Sequence, residues 1–303
     1  MPWNRRQFIA VSSLGVVGAL GHRSLFAQAR GGQQPPAVPV FQDVRRNVGT
    51  FTARGGTIGF LVTPDAVVVV DSQFADTAPL FLDGLKPKTS RGIDLLINSH
   101  HHGDHTGGNK VMQPSAATIV AHANVPGLQR KAAAAAKSEA NQAYADTTFE
   151  RDWKASVGTE VVSARHYGPA HTGGDIVITF QQANVAHLGD LMSYQRNPRA
   201  DRPAGASIRN WIPVLESTVT DHGPDTVYIF GHSKVGERVT GSSKDLLELR
   251  DYFTAMLDFA NKGIAAGRSM EEIVKVAAIP GFERYEGTPA ALQAAYEELT
   301  AKS

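Results

Sequence analysis

The chain alternates short, wholly apolar runs with longer amphipathic stretches, and that rhythm predicts its elements. Thr57 to Val62 and Ala66 to Val70 are apolar runs separated by the turn Thr63-Pro64-Asp65. Val67 to Val70 is an unbroken valine run, the pattern of a strand buried on both faces. A helix is expected from Asp76 to about Lys86, before Pro87. A second buried strand, Ile93 to Ile97, runs directly into Asn98-Ser99-His100. Thr106 to Met112 reads as a short helix, Ala117 to Ala121 as a strand, and the Ala- and Lys-rich stretch Asn124 to Ala145 as one solvated helix. The second half repeats the rhythm. Strands are expected at Glu160 to His166, Asp175 to Phe180, Val185 to Leu188 and Thr226 to Phe230. Helices are expected at Ser207 to Val219 and Lys244 to Ala260. Two more close the chain, with Ser269 capping the first and Thr288-Pro289 opening the second. Strands lead and helices trail in each half, which predicts two packed sheets with helices outside.

The first 29 residues break this rhythm. They carry Arg5, Arg6 and Arg23, no acidic residue, an apolar run from Phe8 to Gly21, and Ala27-Gln28-Ala29, a small-residue cleavage site. That order is the n-region, h-region and processing site of a secretory signal, and the run falls short of the about 20 apolar residues of a good membrane span. The paired arginines before Phe8 resemble a twin-arginine signal. The expectation is export by the twin-arginine machinery, cleavage after Ala29, and a periplasmic or secreted chain with no membrane contact after processing. Residues 30–39 read as a flexible leader, and residues 40–303 as one folded domain.

Composition narrows the partners. The chain has 303 residues, 30 basic and 29 acidic, and cleavage would leave 27 basic residues. A near-neutral mature chain gives no electrostatic case for nucleic acid. Cysteine is absent, which excludes disulfides, thiolate metal sites and cysteine nucleophiles. No G-x-S-x-G, G-x-x-x-x-G-K-[ST] or G-x-G-x-x-G occurs, so neither a serine-hydrolase elbow nor nucleotide binding has support.

The eleven histidines carry the chemistry. His100-His101-His102-Gly103-Asp104-His105 follows a buried strand directly. A segment this polar cannot be core, and at a strand end its side chains can converge on one point. Imidazole nitrogens and carboxylate oxygens suit zinc and related divalent ions. His171 lies in a turn between two predicted strands, and Asp190 and His232 lie at or just beyond the ends of two more. His101 is expected to point away from its neighbours. His187 stands three residues before Asp190 and is a candidate to support it from behind. His122, His166 and His222 read as surface or packing residues. Trp211, Ile212 and Leu215 follow helical spacing and read as core. Tyr194 and Lys234 are candidates to touch substrate.

The ordered set H-x-H-x-D-H, His171, Asp190, His232, preceded by Asp71 at the end of the valine run, resembles the metallo-β-lactamase superfamily over roughly Gly49 to Gly236. The resemblance implies an α/β fold, an αβ/βα four-layer sandwich with the metal site at the edges of two packed sheets. It implies two zinc ions per chain: His100, His102 and His171 on the first, Asp104, His105 and His232 on the second, and Asp190 bridging them. Asp104 and Asp190 are then the catalytic carboxylates. Asp71 is then the acid that holds the histidine loop rather than the metal. Paired ions about 3.5–4 Å apart share a water and lower its pKa, so a metal-bound hydroxide can attack a carbonyl.

Within the family, His102 stands where the oxygen-reducing di-iron branch has glutamate, and Asp190 matches the glyoxalase II, lactonase and general hydrolase branches. The expected substrate is a small molecule with a hydrolysable carbonyl: an ester, thioester, lactone or β-lactam. The alternatives are a dedicated β-lactamase, a mononuclear iron oxygenase of the persulfide-dioxygenase type, and a non-catalytic metal-binding module. Specificity is expected in the loops Ala145 to Lys154 and Met192 to Ser207.

Overall fold

The computed structural model describes residues 37–196 and 199–301. The expected export signal, and the expected leader up to residue 36, lie outside the described residues. The first sheet opens with an antiparallel meander of β1 (Val40–Arg45), β2 (Val48–Thr52), β3 (Ile58–Val62) and β4 (Val67–Val70). Helix α1 (Ala78–Leu85) then crosses to β5 (Leu95–Asn98), which pairs parallel to β4. Two single-turn helices, α2 (Gly103–Thr106) and α3 (Asn109–Met112), lead to β6 (Ile119–His122). Helix α4 (Val125–Ala136) leads to the edge strand β7 (Thr147–Phe149), giving the order β1-β2-β3-β4-β5-β6-β7.

The chain then changes sheets. β8 (Asp152–Val157), β9 (Glu160–Arg165), β10 (Val177–Phe180) and β11 (Val185–His187) form a second antiparallel run. After the two-residue β12 (Ser193–Tyr194) and α5 (Ile208–Asp221), β13 (Val227–Ile229) joins β11 in parallel. β14 (His232–Ser233) pairs with β12, and β15 (Thr240–Gly241) closes the second sheet, ordered β15-β13-β11-β10-β9-β8. Helices α6 (Ser243–Ala265), α7 (Met270–Ile273) and α8 (Thr288–Thr300) follow.

Three apolar cores stack these layers. Val68 and Val70 meet Ile178, Phe180 and Ile229 between the sheets, while Val67 and Val69 face Phe81 and Leu85 of α1 on the opposite side. All four valines of β4 are fully buried, as a strand covered on both faces requires. On the far side of the second sheet, Tyr228 and Phe230 pack against Trp211 and Leu215 of α5 and Leu249 and Phe253 of α6. This is the expected four-layer αβ/βα sandwich.

Three local expectations are corrected. The helix predicted to Ala145 stops at Ala136, because Lys137 turns left-handed (φ 54°) and Ser138 N–H caps the Ala133 carbonyl. Beyond it, the Ala143 carbonyl accepts from Gln129 and Asn109, which pulls the chain into extended backbone toward β7. The stretch Ala145 to Lys154 is not a specificity loop: it holds β7 and the start of β8, the edge strands where the chain passes between sheets. The helix predicted over Thr106 to Met112 is two separate turns, and the first begins inside the histidine segment at Gly103.

Candidate metal centre

Strand ends place every candidate ligand at one edge of the two sheets. His100 and His102 follow β5, and Asp104 and His105 sit on the α2 turn. His171 precedes β10, Asp190 follows β11, and His232 follows β13. Their donor atoms form two clusters. In the first, Nδ1 of His102 lies 3.1 Å from Nε2 of His100 and 2.9 Å from Nε2 of His171. In the second, Nε2 of His232 lies 3.1 Å from Oδ2 of Asp104 and 3.3 Å from Nε2 of His105. Asp190 stands between them. Its Oδ2 faces the first cluster, 3.4 Å from His171 Nε2, and its Oδ1 faces the second, 3.1 Å from His105 Nε2 and 3.3 Å from His232 Nε2.

The outer hydrogen bonds fix which nitrogen faces inward. His102 Nε2–H donates to Asp201 Oδ2 at 2.9 Å, so its Nδ1 carries a lone pair. His171 Nδ1–H donates to the Arg199 carbonyl, so its Nε2 does too. Two lone pairs therefore confront each other at 2.9 Å, an arrangement that repels unless a cation lies between them. Asp190 Oδ1 is likewise buried without a hydrogen bond of its own. Zinc bonds of about 2.0–2.1 Å in a tetrahedral shell separate donors by about 3.3 Å, close to the spacings seen. The donor set thus fits divalent metal in both clusters.

Asp71 ties the ligand segment down from beneath. It is fully buried, with Oδ1 accepting from Ser99 N–H at 2.7 Å and Oδ2 accepting from Ser99 Oγ–H and His105 Nδ1–H, both at 2.7 Å. It holds one ligand through its tautomer and the chain leading to His100 through its backbone.

The electrostatics of the clusters differ. Burial drives the pKa of His171 down to about 3, and burial together with the neighbouring His105 drives His100 well below 6.5, so both imidazoles are neutral at neutral pH and able to offer a lone pair. His105 is also fully buried, but Asp190, Asp71 and Asp104 outweigh burial and raise its pKa well above 6.5. Asp104 and Asp190 are held well below the ordinary carboxylate range by the surrounding histidines, against the opposing effect of burial. The second cluster is therefore rich in negative charge that a cation can neutralise.

The remaining candidates take other roles. His187 Nε2–H donates to the Thr57 carbonyl at 3.0 Å while Nδ1 accepts from Gly189 N–H at 3.1 Å, so it supports the turn that carries Asp190. His101 is buried outside both clusters, with Nε2 3.9 Å from Asp201 Oδ2. His101, His102 and Asp201 make a third metal-capable group on paper, but His102 Nε2 is committed to Asp201, so this group is the outer support of the first cluster. Trp211 packs 5.7 Å from the His171 ring and donates to the Leu191 carbonyl. Tyr194 lies under the Arg238 guanidinium, and Lys234 pairs with Glu286 at 3.1 Å. His122 and His166 stack on each other, and both ring nitrogens of His222 are bonded to Thr179 and Thr218. A groove of about 620 Å³ beside β8–β10, lined by Trp153, Arg165 and His222 among others, contains none of the ligand candidates.

Two supports were not found from sequence. Asp201 is one of many acids in polar loops, and nothing local marks it. The turn Arg54-Gly55-Gly56-Thr57 is the other. Gly56 N–H bonds the Asp104 carbonyl at 2.9 Å, Thr57 N–H bonds the Gly231 carbonyl at 2.8 Å, and Gln73 Nε2–H bonds the Gly56 carbonyl at 2.7 Å. A methyl on Gly56 would stand 2.1 Å from Cε1 of His105, and one on Gly231 would stand 2.3 Å from Asp190 Oδ1. The Gly-Gly pair between apolar strands was the available signal.

Fold and site together define a metal-dependent hydrolase. The chain belongs to the metallo-β-lactamase superfamily, whose profile matches residues 51–234. A probable metallo-hydrolase of Methanocaldococcus jannaschii is 25% identical over 194 residues, 60% of this chain and 90% of that protein. A stereoselective inverting sec-alkylsulfatase from Pseudomonas sp. superposes with a TM-score of 0.69 at 16% identity, over 88% of this chain and 51% of its own, so this chain spans about half its length. A metallo-β-lactamase from Pontibacter korlensis superposes at 0.58 and 17% identity, over 72% of this chain and 99% of its own. At these identities the structural likenesses show the fold alone.

Proposed function

We propose that this chain is an exported two-zinc hydrolase of small carbonyl substrates, acting on carbon–oxygen or carbon–sulfur esters with weaker β-lactam opening. One observation carries the two-metal reading: the two oxygens of Asp190 face two separate histidine clusters. His100, His102 and His171 would hold the first ion, Asp104, His105 and His232 the second, with Asp190 shared. Such ions supply Lewis acidity, activating a water and polarising a carbonyl at neutral pH.

The chain's own residues do the rest. His100, His105 and His171 are closed to solvent, whereas the side chains of Asp104, His102 and His232 are 29%, 17% and 13% exposed, so substrate enters over these three. Asp104 turns Oδ2 toward His232 and His105, so this carboxylate would hold the second ion at the open side of the site and orient the attacking water there. Asp190 is held ionised by the histidines around it and keeps the two clusters in register. The preference for esters over β-lactams follows from Asp190, whose pattern resembles that of general hydrolases. Arg5, Arg6 and Ala27-Gln28-Ala29 support export by the twin-arginine machinery to the periplasm or beyond.

The test compares kcat/KM for nitrocefin, a lactone and a thioester on one zinc-loaded preparation, with elemental analysis of the same sample. Two zinc equivalents and faster ester turnover are expected. Nitrocefin turnover of about 10⁵ M⁻¹s⁻¹ with negligible ester turnover would make it a dedicated β-lactamase. One iron and no second metal would make it an oxygenase, and no turnover on the panel a binding module. N-terminal sequencing of exported protein should read Arg30; an intact Met1 overturns the export reading.

A further inference from the structure

The segment Arg199–Ser207 reads the first cluster from outside. Its Arg199 carbonyl accepts from His171 Nδ1–H, and its Asp201 carboxylate accepts from His102 Nε2–H. Its backbone is stitched to the His171 turn at three further points: Asp201 N–H to the His171 carbonyl at 3.0 Å, Gly173 N–H to the Ala204 carbonyl at 2.8 Å, and Ser207 N–H to the Ala170 carbonyl at 2.9 Å. Two of the three inward-facing nitrogens of the first cluster thus depend on this one segment. The second cluster takes no hydrogen bond from it among the described residues.

The far end of the segment is anchored by the last helix. Glu298 of α8, with a side chain 9% exposed, accepts from Ser207 Oγ–H at 2.6 Å and from Ile208 N–H at 2.7 Å. It also lies 3.5 Å from the Arg202 guanidinium, which itself donates to the Ala206 carbonyl at 2.7 Å. One largely shielded carboxylate therefore satisfies the first amide of α5, the hydroxyl of its capping residue and a cation inside the segment. Removing it leaves Ile208 N–H unsatisfied and Arg202 unpaired at the point where the segment is pinned.

We propose that Glu298 is a positioning residue for the first metal site: by anchoring Arg199–Ser207, it holds His102 and His171 in the tautomers that turn Nδ1 and Nε2 inward. This rests on the reading of the first cluster as a metal site. It also gives the C-terminal helix, which contributes no ligand, a selective grip on one of the two ions. A histidine whose outer hydrogen-bond partner is lost typically binds metal about 10–100-fold more weakly.

The test is competitive chelator titration of the zinc-loaded full chain, resolving the two affinities, for wild type, Glu298→Gln, Glu298→Ala, Arg202→Gln and Asp201→Asn. Histidine nitrogen NMR of the same proteins reads the tautomers of His102 and His171. The expected result is a loss of about 10-fold or more at the first site in Glu298→Ala, with the second site changed less than about 3-fold. Asp201→Asn should show the same selectivity, and combining it with Glu298→Gln should add less than the sum of the two losses. Ser269→Ala, which removes the hydroxyl that caps α7, controls for stability: it should lower Tm without moving either affinity. Equal weakening of both sites by Glu298→Gln, or unchanged affinities and tautomers, overturns the proposal. If Glu298→Ala does not fold, Glu298→Gln and Arg202→Gln decide. Should His100→Ala leave both wild-type affinities intact, it is the metal-site reading that fails instead.

Discussion

The two clusters sit side by side, yet they are built differently. The second takes Asp104 and His105 from a single helical turn, and their support comes from the same half of the chain, through Asp71, Gln73 and Gly56. Each closes on one histidine from the other half of the chain, His232 in the second and His171 in the first, but the first takes His100 and His102 from the strand-end segment and is held from outside by Arg199–Ser207. Charge separates them too. The second cluster surrounds one fully buried histidine with three carboxylates, whereas the first holds the neutral imidazoles of His100 and His171. On the two-metal reading, affinity in the second would rest on charge neutralisation, and in the first on lone pairs held in register by long-range hydrogen bonds.

Losing what the two clusters share should cost most. Asp190→Ala removes the side chain whose two oxygens face both, so ester and β-lactam turnover should fall together by about 10³-fold or more in kcat/KM. A variant that loses one activity and keeps the other would show that the clusters act independently. Next come lesions confined to one side. His171→Ala and His232→Ala should each lower zinc from two equivalents to about one, and the ion that remains should differ between them. Elemental analysis with cobalt substitution distinguishes the two; an identical remaining spectrum breaks the comparison.

A smaller and more local effect is expected from Gly56→Ala, since the added methyl meets His105 Cε1 at 2.1 Å. It should weaken the second ion about 10–100-fold and leave the first unchanged, the mirror image of the Glu298 variants. Chelator titration reads both, and a loss at the first site would refute the partition.

The smallest effect concerns pH and stability. Asp175 is buried behind the His171 turn, where burial raises its pKa to about 7 although Thr172 donates to it through N–H and Oγ–H. From its unfolded value near 3.8 up to about 7, the folded state keeps a proton that the unfolded state has released. Stability then falls as pH rises through that window, by at most about 1.4 kcal/mol per pH unit. Asp175→Asn should flatten this slope in urea unfolding followed from pH 5 to 8. Parallel curves for variant and wild type would remove Asp175 from the account.

Much of this was legible beforehand because it is local. The valine run of β4 announced a doubly covered strand, and each ligand candidate lay at a strand end, where a sheet presents its side chains. The edge strands β7 and β8 were not legible. β8 has no buried residue, with Asp152 and Lys154 exposed and Trp153 and Ala155 only half-buried, and the pairing of both strands is set by β6 and β9 rather than by their own pattern. The end of α4 was hidden for a related reason: five alanines and a lysine favour helix, and only the pull of Gln129 and Asn109 on Ala143 turns the chain away.

The sequence by itself determined the layers, the order of the ligands and the residue types that make the site a metal centre, because strand burial and donor chemistry belong to short stretches of chain. Only the tertiary structure decided that Asp190 turns one oxygen to each cluster, that Asp201 and Arg199 hold two of the histidines, that Gly56 lies against His105, and that Glu298 anchors the whole segment. Those contacts join residues far apart in the chain, and a side chain's orientation depends on partners that periodicity and motif spacing do not encode.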